Sequence, residues 1–175
     1  MNQTIQDMIN RRSCRKFKSD AVPKELIAQV VKAGQYAANG RGGQATRIIA
    51  VTDKALRDRI MEDNRRIGGW KEDFDPFYGA PVILIVLAEK DYPTAVYDGS
   101  LVMGNLMLAA HSLGLGSIWI HRAKQEFEMD FYKDLLTQLG VEGEFEGIGH
   151  CAIGYADGEL AQPAPRKENH VFWVE

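Results

Sequence analysis

Cysteine is scarce in this chain. Cys14 and Cys151 are the only two, they lie far apart and neither belongs to a CxxC pair, which excludes a disulfide framework and a thiolate zinc site. Reduced thiols are expected. Long hydrophobic runs are missing as well: the longest, Ala80 to Ala88, is about half of what a membrane-crossing helix requires, and the opening MNQTIQDMINRRS carries no apolar signal region. A soluble, cytoplasmic protein with no membrane partner is expected. Nor is there an excess of one charge. Lys+Arg 21 against Asp+Glu 24 leaves a net charge of -3, so no global basic field invites nucleic acid and any anion site must be local.

Histidine is limited to four residues, none at metal-ligand spacing, and no HExxH, Walker loop or GxSxG elbow occurs. Protease, ATPase and esterase readings lose their main support. GLGS at 114–117 lacks the third glycine of a dinucleotide fingerprint and precedes a strand pattern instead of following one, so a Rossmann site is rejected. His111, inside an apolar helix pattern, reads as a core histidine in preference to a ligand.

What remains is an ordinary globular composition, 45% hydrophobic and 26% charged over 175 residues, enough for one domain spanning 1–175 with a self-sufficient core. Thr4 is placed to cap a short helix to Asn10, and RRSCRKF then breaks the apolar period as a loop. Pro23 opens a helix to Ala37, with Leu26, Ile27, Val30, Val31 and Gly34 on one face. NGRGGQ at 39–44 is a second loop. Thr46–Val51 reads as a strand, and Thr52-Asp53 suits the cap of a helix through Ile67. Gly68 to Gly79 is an aromatic loop, whose Trp70, Phe74, Phe77 and Tyr78 suggest a wall for an acceptor or a satellite apolar cluster.

VILIVLA after Pro81 is apolar at every position and predicts a strand buried on both faces at the centre of the sheet. Thr94–Leu113 is a helix apolar nearly all round, to be buried in a core or between subunits. Ser117–His121 and Gly147–Tyr155 read as strands, Glu126–Leu139 as a helix, and Val171–Val174 as a strand-like run without an obvious partner in its own chain. Strands alternating with helices give an α/β or α+β class with one mixed sheet.

Arg11, Arg12, Ser13 and Arg15 form the sharpest chemical cluster. Guanidinium forks beside a hydroxyl suit a phosphate, because they hold it bidentately and keep their charge near pH 7. On residue types alone, a solvated basic loop is the alternative.

The order of RRSCRKF at 11–17, AANGRGGQATRIIAVTD at 37–53, GLGSIWIHRA at 114–123, AIGYAD and PAPRK resembles a small FMN-dependent nitroreductase-family protein over nearly the whole chain. The resemblance implies an α+β three-layer sandwich, with a mixed, mainly antiparallel sheet flanked by helices, that dimerises with two flavins in the subunit interface. It implies that Arg11, Arg12 and Ser13 hold the FMN phosphate and ribityl chain and that Arg15 reaches the pyrimidine edge, where a cation favours the anionic reduced ring. It also places Asn39, Gly40 and Gln44 against the flavin, Gln44 matching the glutamine of the family's N-x-Q-P-W stretch. Gly42, Ala45 and Thr46 depart from that stretch, where the family has Asn, Pro and Trp.

Ile120-His121-Arg122 matches the strand exit whose backbone amide faces flavin N5. There, Arg122 acts through its amide or through a side chain that meets an anionic substrate or the nicotinamide phosphate. Arg166 and Lys167 match a late basic pair that closes on the phosphate, or are a solvated pair. The activity implied is NADH- or NADPH-dependent, ping-pong hydride transfer through flavin N5 to a nitroaromatic, quinone or related small acceptor. No side-chain nucleophile is then required. A reductive dehalogenase-like or cofactor-processing reaction is a second enzymatic possibility, and a non-catalytic flavin-binding or redox-sensing protein of the same fold is the alternative of another class.

Overall fold

The computed structural model describes residues 1–175. Its elements in chain order are α1 (Gln3–Asn10), α2 (Lys24–Gln35), a short 3-10 turn (Gly40–Gly42), β1 (Thr46–Val51), α3 (Lys54–Gly68), β2 (Val82–Glu89), α4 (Ala95–Ser112), β3 (Gly116–Ile120), α5 (Ala123–Glu126), α6 (Asp130–Gln138) and β4 (Phe145–Gly154). The four strands form one sheet in the order β1-β2-β4-β3, every named pair antiparallel. A single parallel bridge, Ser13 to Ser117, adds the mixed element. It ties the 11–17 loop to the outer edge of β3.

The unbroken apolar run of β2 has the expected cause. Val82 to Ala88 are all buried, and the two-residue alternation of a strand sends them to two cores. Ile83, Ile85 and Leu87 pack with Ile60 of α3 and with Tyr132 and Leu136 of α6. Val82, Leu84 and Val86 pack with Val30 of α2 and with Val102, Met103 and Leu106 of α4. Helices therefore cover both faces, which makes the α+β three-layer sandwich.

Several local expectations need correction. Asn2, not Thr4, caps α1, accepting the Ile5 N–H, and Pro23 stands in the cap position of α2 instead of inside it. Asp53 caps α3 through the Leu56 N–H as expected. The helix predicted over 126–139 is two, α5 and α6, broken at Phe127–Met129. Its cause is Glu126, which is fully buried and drawn toward His150 and Asn64, so the chain must turn before the Phe131 and Leu135 face can pack. Phe77 is fully buried in the core, with Arg57 over its ring, and takes no part in an open aromatic loop. Val171–Val174 forms no strand; it ends an exposed tail. His111 is only half-buried, whereas His150 is the histidine with no exposure at all.

A bulge in β4 completes the frame. Val86 faces Gly149 and Leu87 faces Gly147, so Ile148 is the extra residue. A Cβ on Gly147 would lie 2.2 Å from the Ala123 carbonyl carbon, and one on Gly149 would lie 2.3 Å from Trp119 Nε1. These two glycines let α5 and the Trp119 indole close onto the sheet beside the β3 exit.

Candidate functional site

The β3 strand brings two of the predicted segments together. At its start, Ser13 pairs with Ser117, and Cys14 N–H donates to the Ser117 carbonyl at 2.9 Å. At its end stand His121 and Arg122, four residues on, or about 13 Å along the strand. One edge thus carries the basic loop and the strand exit.

The basic loop has the chemistry of an anion site. Arg11, Arg12 and Ser13 are half-buried, and the buried Arg11 Nη1 and Arg12 Nε atoms have no partner. No carboxylate lies within ion-pair distance of Arg11, Arg12 or the exposed Arg15; Lys16 alone in this loop is paired, with Asp157 at 2.7 Å. Buried donors without acceptors are uncommon because the desolvation cost is not recovered. A phosphate would recover it. Arg11 also bears on the sheet: burial pushes the Cys151 thiol up to about 12, and the Arg11 charge partly offsets that rise.

At the other end, Arg122 has φ of 88°, in the left-handed region where a non-glycine residue is strained. Its N–H has no partner within the chain, and its Nε is buried without one. The guanidinium stands 5.9 Å from the Trp70 ring centroid. Trp70 and Tyr78 each meet Phe74 edge-on, at 5.5 and 5.7 Å. With Trp119 and His121 they line a cavity of about 190 Å³. The aromatic wall therefore keeps three of its four predicted members. A second cavity, of about 450 Å³, opens on the other side of His121 and Arg122 between Val96 and Ser100 of α4 and Gly147 and Ile148 of β4.

The remaining predicted residues lie elsewhere. Asn39 closes its own loop, its Oδ1 accepting the Gln44 N–H at 3.0 Å, and Gly40 N–H donates to the Asp98 carboxylate at 3.0 Å. Asn39 and Gln44 line a separate groove of about 710 Å³ with Tyr36, Arg47 and Val102. Asp98 is two residues from Val96, about 200° around α4. Asn39, Gly40 and Gln44 therefore occupy the face of α4 opposite to the His121–Arg122 cavities, and one chain does not bring them to the Arg11–Ser13 end. Arg166 bonds only to the Ala164 carbonyl, and Lys167 is exposed beside it; neither is paired with the cluster.

Sequence reasoning missed the residues beneath the strand exit. His150 Nε2 and Glu126 Oε2 lie 2.7 Å apart, both with no exposure. Asn64, equally buried, donates to Glu126 Oε1 at 2.7 Å and to the His121 carbonyl at 2.8 Å. Glu126 opened a predicted surface helix and Asn64 sat in a charged one, so neither carried a signal of burial.

Residues 8–155 match the family model described as Nitroreductase family. The chain belongs to the nitroreductase family. Among solved structures it is similar to the nitroreductase with bound FMN from Bacteroides fragilis, at 27% identity and a TM-score of 0.87, covering 100% of both chains. Among curated proteins it is 26% identical over 140 residues to the FMN reductase (NAD(P)H) of Bacillus subtilis, 67% of this chain. That match spans 53% of the relative, about half its length. It is also 31% identical over 127 residues to the iodotyrosine deiodinase of Thermotoga neapolitana, 62% of this chain and 68% of that one.

Proposed function

We propose that this chain binds FMN along the edge of β3 and uses NADH or NADPH to reduce a small acceptor. The observation that carries the reading is the pair of buried guanidinium nitrogens, on Arg11 and Arg12, left without partners at one end of a strand whose other end offers the free Arg122 N–H. The donor set fits the cofactor: charged forks and a hydroxyl for a phosphate, and a backbone donor and aromatic rings for a flat heterocycle. Bound FMN would supply two-electron chemistry, accepting hydride from the nicotinamide and passing electrons to the acceptor.

The protein's own part is binding and orientation. Arg11, Arg12 and Ser13 would hold the phosphate, Arg15 would supply a cation for the electron-rich edge of the ring, and the Arg122 N–H would serve as a donor to the ring. Trp70, Phe74 and Tyr78 offer a face on which a planar acceptor stacks and from which water is excluded.

A homodimer belongs to this reading, because Asn39, Gly40 and Gln44 reach the cofactor only if a second copy supplies them. The apolar surface for such a partner is large. Ile5, Met8 and Ile9 of α1 are 44 to 57% exposed, Val96, Tyr97 and Leu101 of α4 are 49 to 72% exposed, and the tail adds Phe172 and Trp173. A reductive dehalogenation is the second reading, favoured by the 31% identity to an iodotyrosine deiodinase.

The absorption spectrum of purified protein is the first test. Flavin bands at one per chain support the reading, and protein that neither carries nor takes up FMN overturns it. Stopped-flow bleaching by NADH or NADPH then separates an enzyme from a flavin-binding module, and turnover of a quinone, a nitroaromatic and a halotyrosine separates the acceptors. Parallel initial-rate lines are expected, since one ring face must serve donor and acceptor in turn.

A further inference from the structure

Each of three consecutive carbonyls at the β3 exit has a polar neighbour within the chain. The Ile120 oxygen lies 3.4 Å from His150 Nδ1, the His121 oxygen accepts from Asn64 Nδ2 at 2.8 Å, and the Arg122 oxygen accepts from the Glu126 N–H at 3.0 Å. Consecutive carbonyls of a regular strand point to opposite sides. At this exit Arg122 takes a positive φ, and its N–H has no partner within the chain. The Arg122 contact is the opening backbone bond of α5, whereas the other two come from side chains of α3 and β4 that Glu126 links. Asn64 spends both amide hydrogens, on His121 and on Glu126 Oε1, and Glu126 Oε2 meets His150 Nε2 at 2.7 Å.

A buried polar triad of this kind is a poor source of stability, since packed apolar residues of similar volume often do as well or better. Its effect here is on conformation. We propose that Asn64, Glu126 and His150 are positioning residues which hold the Ile120–Arg122 turn so that the Arg122 N–H is presented to the cofactor. The inference rests on the FMN reading above. Oxidised flavin offers a nitrogen lone pair to such a donor, whereas the reduced ring carries a hydrogen on that nitrogen, so a well-aimed N–H favours the oxidised form.

The test compares FMN-loaded wild type with Asn64→Ala and with Asn105→Ala. Asn105 is a matched control: its amide donates to the Ala33 carbonyl at 3.0 Å, joining α4 to α2 away from the turn. Two quantities are read, amide hydrogen exchange at 121–123 and the redox equilibrium of bound FMN against a reference dye. Asn64→Ala is expected to speed exchange at least tenfold and to move the equilibrium about tenfold toward reduced FMN, which is about 30 mV for a two-electron couple. Asn105→Ala should change neither. Faster exchange with an unchanged equilibrium makes the triad merely structural and overturns the proposal, as does wild-type behaviour in both. Wild type that binds no FMN fails before any variant is compared, and takes the cofactor reading down as well. If Asn64→Ala does not fold, the apolar triple Asn64→Leu, Glu126→Met, His150→Phe replaces it. A folded triple with both shifts supports the proposal, and one with wild-type values overturns it.

Discussion

Arg57 and Asp75 are joined through the loop that leads into the central strand. The Arg57 guanidinium, 9% exposed, reaches from α3 to Asp75 Oδ2 at 2.5 Å and donates from Nε to the Ala80 carbonyl at 3.1 Å. Asp75 in turn accepts the N–H groups of Phe77 and Gly79, at 2.7 and 2.9 Å. One ion pair thus sets the path from the aromatic wall into β2. Asp75→Ala removes three acceptor contacts while the guanidinium keeps the Ala80 carbonyl and Asp58 Oδ1, at 3.1 and 3.3 Å, and is expected to cost about 3 kcal/mol, at about 1 kcal/mol for each lost bond. Urea unfolding monitored by circular dichroism measures it; a loss below about 1 kcal/mol would show that the pair is dispensable.

The proposed anion site makes a separate prediction. Replacing Arg11 and Arg12 together by Ala should leave the fold intact, because neither residue has a carboxylate partner to abandon. FMN affinity should fall by about 3 kcal/mol or more, at about 1.5–3 kcal/mol for each charge-assisted bond. Fluorescence titration of the folded variant reads this directly. Arg166→Ala, at a residue bonded only within the tail, is the comparison.

Gly104 separates the dimer from the monomer fold. It is exposed on α4, and a side chain added there meets nothing within 4 Å in the same chain. Gly104→Leu should therefore leave the thermal stability of one chain within about 1 kcal/mol of wild type. If the exposed α4 face is the subunit contact, the same change drives a second copy away and lowers FMN content with it. Sedimentation at low micromolar concentration, with and without the substitution, is the measurement. An unchanged dimer places the interface elsewhere.

Alkaline pH should weaken the fold. Burial raises the thiols of Cys14 and Cys151, the latter to about 12 from 9.0, and the Tyr132 phenol also moves up, chiefly through burial and then through Glu126 and Asp63. Above about pH 9 the unfolded chain loses these protons first and binds fewer than the native state, so stability falls as pH rises. The contribution from Cys151 is complete below about pH 9 and is lost progressively to about pH 12. Urea midpoints should be flat from pH 7 to 8.5 and lower at pH 10.5, and Cys151→Ala should flatten the decline. At pH 8 both thiols should resist iodoacetamide until the protein is unfolded, since the thiolate is the reactive form.

The sequence by itself determined the features that a single segment can express. The wholly apolar VILIVLA run reads as a strand covered on two faces, the Asp53 cap followed from its side-chain chemistry and the α2 apolar stripe from periodicity, and the arginines clustered at 11–15 suggested an anion site. Tertiary structure decided what depends on residues distant in the chain. Glu126 and Asn64 have the composition of a solvated helix surface, and they became a buried unit only because His150 and the His121 carbonyl supply their partners. That burial broke one predicted helix into α5 and α6. The same dependence decided the site: Ser13 meets Ser117 because the loop pairs with the edge of β3, whereas Asn39 and Gln44, read in the same breath from the motif, fall on the opposite face of α4. Helical and strand periodicity are properties of neighbours in sequence; convergence on one surface is a property of packing, and no local pattern encodes it.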